Sequence, residues 1–441
     1  MTAPMHRRAI RLLRLTALLC PALLGAAAHA GMMSPCQDPI VLPSSKVHVF
    51  LLPYQAEGPL TERGRELATI VQRHVLYAAL KYPSIAVEEL TGESRWCGFD
   101  VVAARVLPRL RAGQTAIFVW GRLFEQEGKL RLRSTALYTI AHQSDTVAWN
   151  LDGLSTKATA TVPPDPVLFA PREIPFGILA GLQAAQQEAR RLHREPNTAS
   201  PYEDLPGGPD AKFAFEVLGA ENDWMHVRLF RSGQQGWLSA HALTAGDDLK
   251  GTFPELYFVD GLIGYNEIGG DETRYTPAQV RVIRNSVVES LNRYLDLSSS
   301  RGESDARALA AVLVGTAQLR AAGHASPSIE LLETADQSYQ KAERNAPTST
   351  VANTFHLACA LALCWQGRCE GGANQLHSQF LAAVAADPTN AELLGNLDVL
   401  YSAASDTQGR MQLTMSAGEI DAQRSIVAQA KRALSAGNAA P

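Results

Sequence analysis

The sequence has no surplus of positive charge, since 40 lysines and arginines stand against 44 aspartates and glutamates. A nucleic-acid partner calls for a basic face or stripe, so that class of function drops out. Beyond its first 30 residues the chain also has no long apolar run. A membrane-spanning helix needs about 20 consecutive apolar residues, and no transmembrane segment is expected there. No glycine-rich phosphate cradle, no Ser-His-Asp arrangement and no pair of carboxylates at a telling spacing is found. The reading therefore assigns no catalytic residue, no metal and no cofactor.

What is present begins with Arg7, Arg8, Arg11 and Arg14, an apolar run from Leu12 to Ala28, and small residues at Ala28 and Ala30. This order is that of a secretory signal peptide, residues 1–30, cleaved near Ala30. Leu19 before Cys20 does not suit a lipoprotein anchor. The expected product is periplasmic or secreted. Loss of four arginines leaves 36 basic against 44 acidic residues, a net charge of −8, and a length that suggests two to four domains. Five of the six cysteines remain, and an oxidising compartment lets them pair. The simplest pairs are Cys36 with Cys97, and Cys364 with Cys369 across a turn, which leaves Cys359 as a buried thiol. The spacing of Cys359, Cys364 and Cys369 with His356 or His377 matches no familiar zinc pattern.

Residues 36–160 read as a small α/β domain. "KVHVFLLPYQ" alternates as a strand, and a helix is expected over 61–81. "SIAVEEL" is a second strand, and Asp100 is placed to cap a helix starting at Val101. "TAIFVWGRLFEQEGKLRLRSTALYTI" gives two strands joined through Glu127-Gly128. In the second, Leu130, Leu132, Ala136, Tyr138 and Ile140 share one face and Arg131 and Arg133 the other, so one face is expected in the core and one in water. The pattern "VWGRLFEQEGKLRL" and the element order resemble the strand-helix modules of exported envelope-assembly proteins related to curli secretion or to activators of wall synthases. "RWCGFDVV" places Cys97 before a helix, where a thiol pKa falls, in a context similar to the "DCSGF" of NlpC/P60 wall peptidases. Here the Asp and Ser are missing, and His142, the only downstream histidine of the domain, lacks that family's surroundings.

Five prolines between 162 and 176 suggest a linker, continued by a short helix up to residue 189. Residues 190–246 then carry "FAFEVLGAENDWMHVRLFRSGQQGWLSAHAL". Val217, Leu218, Gly219, Trp224, Val227, Gly233, Gly236, Trp237, Leu238 and Leu243, with Pro196 in the early loop, match the pattern of the bacterial SH3 domain, which this segment resembles. The resemblance implies a small all-β barrel with "AEND" and "RSGQQG" as turns. It also implies a groove for extended peptides or cell-wall stems, with Tyr202, Trp224 and Trp237 as candidate contacts. Trp237 reads first as barrel filling, and Trp224 reads equally well as filling or as contact.

Residues 252–436 read as all-helical. "NEIGGDETRY" nearly spells the GGDEF signature of cyclic di-GMP synthases, but a cyclase needs strands on both sides of it. Here "FPELYFVDGLIGYNEI" precedes it at helical spacing, and Thr276, Pro277 and Gln279 open another helix with a capping box. Ala335, Tyr339, Ala342 and Pro347 have the spacing of the second helix of a tetratricopeptide repeat. Leu376, Phe380, Ala383 and Pro388 repeat it 41 residues later, and Leu394, Leu397 and Tyr401 follow as the next first helix. The resemblance implies a partner-binding concave surface, with a compact bundle as the other possibility. The function expected is a non-enzymatic envelope adaptor that binds protein or peptide partners or peptidoglycan. The alternative is an SH3-targeted peptidoglycan hydrolase of cysteine-peptidase type, using Cys97 with His142.

Overall fold

The structure is a computed structural model that describes residues 40, 42–52, 54–56, 85–90, 98–140, 145–151, 154–160, 166–174, 190–205, 214–222, 224–230, 232–239, 253–268, 275–298, 302–320, 328–347, 349–405 and 411–437. The leader, the helix over 61–81, Cys36, Cys97, His142, the helix after the proline-rich stretch and the Gly269–Thr273 loop lie outside these residues. A mixed sheet comes first and an all-helical region follows it.

Strands β1 (Val47–Leu51), β3 (Ile85–Glu89) and β4 (Thr115–Gln126) run parallel with β1 in the middle, and β2 (Gln55–Ala56) also lies beside β4. β5 (Lys129–Ile140) returns antiparallel to β4 through Glu127 and Gly128, whose φ values of 56° and 71° are those of the tight hairpin turn that this pair of residues favours. Helix α1 (Phe99–Val106) begins after Gly98, not after Asp100. Asp100 sits instead in the first turn, where its charge suits the amino-terminal end of the dipole.

The wet face expected of β5 holds at its start, where Arg133 is exposed beside buried Leu132, and ends further along, where Thr135 and Leu137 are buried with Ala136; the strands before it are covered on both sides. On one side Val102 and Val106 of α1 close over Phe50, Leu52 and Phe118. On the other, Val47, Val49, Leu51, Ile117, Val119 and Leu132 join the core of the helical region. Parallel strands are ordinarily covered on both sides, and every residue of β1 is buried. The proline-rich stretch, expected as a linker, supplies β8 (Val167–Leu168) and β9 (Arg172–Glu173), both paired with β5. Strands this short on an outer edge tolerate nearby prolines, and Phe169 and Ile174 anchor them in the core.

β10 (Arg191–His193), β11 (Tyr202–Asp204), β12 (Ala214–Glu221), β13 (Trp224–Leu229) and β14 (Gln235–Ser239) pair antiparallel in the order β11-β10-β14-β13-β12. β12 also pairs with β3, so these strands and the N-terminal ones share a single sheet. Edge strand β3 thereby gains a partner, which a buried edge requires. Ser45 donates to Glu216 at 2.8 Å across the seam, and Arg228 pairs with the other oxygen of that carboxylate. Gly236 is needed where it stands, because a Cβ there would lie 2.8 Å from the His193 carbonyl oxygen and 2.6 Å from Leu192.

The helical region contains α2 (Glu255–Ile268), α3 (Pro277–Leu297), α4 (Ser304–Arg320), α5 (Ile329–Asn345), α6 (Thr350–Trp365), α7 (Gly372–Ala386), α8 (Ala391–Ala404) and α9 (Ala417–Gly437). Successive helices pack as neighbours. The flanks of the GGDET loop are α2 and α3, and Thr276 and Gln279 form the expected capping box. The repeat is visible in the backbone. α5 ends at Ala346 (φ −139°, ψ 80°) and α7 at Asp387 (φ −138°, ψ 80°), and Ser349 and Asn390 cap the helices that follow. Ala335, Tyr339 and Ala342 are buried on α5, as are Leu376, Phe380 and Ala383 on α7.

Among the contacts that fasten the sheet to the helices, two groups stand out. Ser134 donates to Glu255 at 3.0 Å, Arg172 donates to Glu303 at 2.6 Å, and the Ala170 amide donates to the same Glu303 oxygen at 2.9 Å. Around this polar knot Phe169, Phe258 and Tyr294 meet edge to face with centroids 5.2 to 5.9 Å apart, contacts worth about 0.5–1.5 kcal/mol each beyond area burial. The second fastening is a separate hairpin, β6 (Asp145–Leu151) and β7 (Leu154–Ala160). It leaves the main sheet and lies against α4, α6 and α8, the first helices of three successive pairs.

Candidate functional site

Cross-strand pairing places His226 opposite Trp237, Trp237 opposite His193, and His193 opposite Tyr202. Directly opposed residues share a face, so β13, β14, β10 and β11 present one row of four rings. Trp224, two residues before His226, lies on that face as well. Trp237 stacks on His226 with centroids 4.8 Å apart and planes 21° from parallel. His193 touches Tyr202 at 5.3 Å and meets Trp224 edge-on at 4.9 Å. The Arg191 guanidinium lies 4.6 Å from the centre of the Tyr202 ring, a cation–π contact. On the opposite face Leu192, Met225, Val227 and Leu238 enter the core.

The burial of the tryptophans is the reverse of the expected order. Trp224 is only 8% exposed, whereas Trp237 is half-buried. Both lie on the face opposite Leu238; the His193 ring packs edge-on against Trp224, while Trp237 stacks on His226 and keeps part of its surface in water. Tyr202, on the outermost of these strands, is 48% exposed. The structure thus brings Tyr202, Trp224 and Trp237 onto one face of the sheet and adds three residues that sequence reasoning passed over: Arg191, His226 and His193, which like Trp224 is buried on that face. The signal for His226 was available in "WMHVRL", where alternation from Trp224 reaches it. His193 had none, because its place depends on which strand pairs with β14.

Elsewhere Cys364 and Cys369 lie at disulfide distance, on either side of the turn between α6 and α7. Cys359 is a free thiol with no exposed surface. Burial first, and the Asp336 charge second, push its pKa well up, and its Sγ donates to the Leu332 carbonyl. His356 and His377 take other partners: His356 faces the carboxylates of α5, and His377 lies 2.8 Å from the Tyr401 hydroxyl. Among the described residues no helix is long and apolar enough to cross a membrane.

Where a concave partner-binding surface was expected, the hairpin β6–β7 lies on α4, α6 and α8. α6 fits this placement by composition. It carries no Asp, Glu, Lys or Arg and is buried along most of its length, as a helix without a polar face must be.

No family model, curated protein or solved structure matches the chain.

Proposed function

We propose that the chain is an exported, non-catalytic adaptor of the cell envelope. In this reading β10–β14 act as a bacterial SH3-like module that holds an extended peptide or cell-wall stem on its ring-bearing face, and the tetratricopeptide-like helices hold a protein partner. The observation that carries the proposal is the row His226, Trp237, His193 and Tyr202, whose two outward rings, Trp237 and Tyr202, stand on neighbouring parts of one surface. Aromatic surfaces with a polar tip are what peptide grooves use, because they bury apolar area and still satisfy hydrogen bonds. Tyr202 is the expected contact at the outer strand, Trp237 the central one, and Trp224 the buried support behind them.

The test is co-sedimentation of the protein with isolated peptidoglycan, and titration with stem peptides, for the native chain and for Tyr202→Ala and Trp237→Ala. Loss of a ring that stacks on ligand costs about 1–3 kcal/mol, so each variant should bind roughly tenfold more weakly. Retention on peptidoglycan that is identical in all three proteins, or absent from the native chain, would remove wall material as the ligand of this face.

A further inference from the structure

A cleft of about 830 Å³ lies between α5, α6 and α7 and the turn that joins the last two. It is well within the size range of sites that hold a ligand side chain and its neighbours. The floor is one face of α6, His356, Ala360 and Leu363, set at helical spacing.

Charge is uneven in this cleft. Glu333, Asp336 and Glu343 from α5 and Glu370 from the turn line it, against Arg344 and Arg368, and Arg368 already lies 3.9 Å from Glu333. At the bottom the His356 ring is held between two carboxylates, with Nδ1 2.7 Å from Glu343 and Nε2 3.8 Å from Asp336. Burial alone would lower the imidazole pKa, but Glu343, Asp336 and Glu370 together outweigh it and the pKa is raised. Asp336 is the telling group. It is 7% exposed, Gln340 donates to its Oδ2 at 2.8 Å, and its Oδ1, which has the His356 Nε2 3.8 Å away, receives no hydrogen bond among the described residues. A buried carboxylate oxygen without a donor is costly, and burial pushes this carboxyl up to about 6 in spite of His356 and Gln340.

We propose that this cleft binds a lysine or arginine side chain presented on an extended partner peptide. The carboxylates of Asp336, Glu343 and Glu370 receive the cation, and the amides of Gln337, Gln375 and Gln379, which line the same cleft, are placed for the peptide main chain. The inference deepens the adaptor reading at the helical region and is independent of the ring-bearing face. It also has a pH signature. The groups facing Asp336 and His356 are each other, Gln340, Glu343 and Glu370, with Cys359 close to Asp336 on α6. As pH falls, Asp336 loses its charge and His356 gains one. Both changes make the cleft less negative, so affinity for a cation weakens on acidification.

The experiment is calorimetric titration of the full chain with the blocked peptide Gly-Gly-Lys-Gly-Gly and with the same peptide carrying Nε-acetyl-lysine, at pH 7.5 and 5.5. Saturable binding of the lysine peptide alone, weaker at pH 5.5, is expected. Asp336→Asn and Glu370→Gln should each weaken it about tenfold. Glu370 is exposed, so its variant keeps the test valid if Asp336→Asn folds poorly. Tyr202→Ala and Trp237→Ala should leave this binding unchanged, which separates failure at the cleft from failure at the sheet. Equal binding of the acetylated peptide, no binding of the lysine peptide, or unaltered affinity in Glu370→Gln overturns the proposal.

Discussion

Replacing Glu255 by glutamine should stabilise the protein at alkaline pH. Glu255 is 2% exposed and is held by Ser134, with the Arg172 Nε 3.9 Å from its second oxygen. Burial pushes its pKa from 4.5 to about 7, against the opposing pull of its backbone hydrogen bond, of Arg172 and of Ser134. Between those two values the folded chain keeps a proton that the unfolded chain has released. Stability from this group is therefore greatest at acid pH and is lost as pH rises through about 7. A shift of that size corresponds to roughly 3 kcal/mol of destabilisation once both states are ionised. Glutamine keeps an acceptor for Ser134 and carries no charge, and Arg172 retains its 2.6 Å bond to Glu303. Part of the gain is offset because the new amide needs acceptors of its own, so a net increase of about 1–3 kcal/mol is expected at pH 8.5 and little or none at pH 5. The assay is guanidinium denaturation of both proteins at the two pH values, read as the difference between them. His48, which burial lowers to about 4, and Asp336 titrate in both chains and cancel. A variant less stable than the native chain by the same amount at both pH values would refute the reasoning, because it would mean that the carboxylate is ionised and well paired throughout.

Gly236→Ala should destabilise the protein by about 1–3 kcal/mol, seen as a lower denaturation midpoint, since its methyl group would press on the His193 carbonyl oxygen. Opening the Cys364–Cys369 pair as Cys364→Ser with Cys369→Ser should cost at most about 2 kcal/mol, because so short a loop restricts few unfolded conformations. In that variant iodoacetamide should modify Cys359 only after denaturation. Labelling of the native protein at Cys359 by mass spectrometry would contradict its complete burial.

Features that depend on a few neighbouring residues were legible in the sequence. Glu127-Gly128 specifies its turn through backbone conformation, Thr276 with Gln279 satisfies a helix start, and the spacing of Ala335, Tyr339 and Ala342 repeats at Leu376, Phe380 and Ala383 because the same helix pair is built twice. What stayed hidden was non-local. Nothing near Ala214 announces that β12 will meet β3, and nothing in Phe169 or Ile174 says that a proline-rich stretch will lie along β5. Such pairings are decided by which edges and faces remain uncovered once local structure has formed. The ring-bearing face illustrates both cases. Alternation alone puts Trp224 and His226 on one side of β13, but only the register among β14, β10 and β11 brings Trp237, His193 and Tyr202 beside them.

The β6–β7 hairpin sets the order in which the chain can mature. Synthesis runs from the amino terminus, so these strands exist well before the α4, α6 and α8 surfaces they rest on. A two-stranded ribbon on its own is marginal in water, and until its helical bed arrives one of its faces stays uncovered. Contacts of such long sequence separation fold slowly and leave late intermediates open to misassembly. Fragments that stop short of α8 should therefore be sticky, whereas the complete chain closes over its own most vulnerable segment.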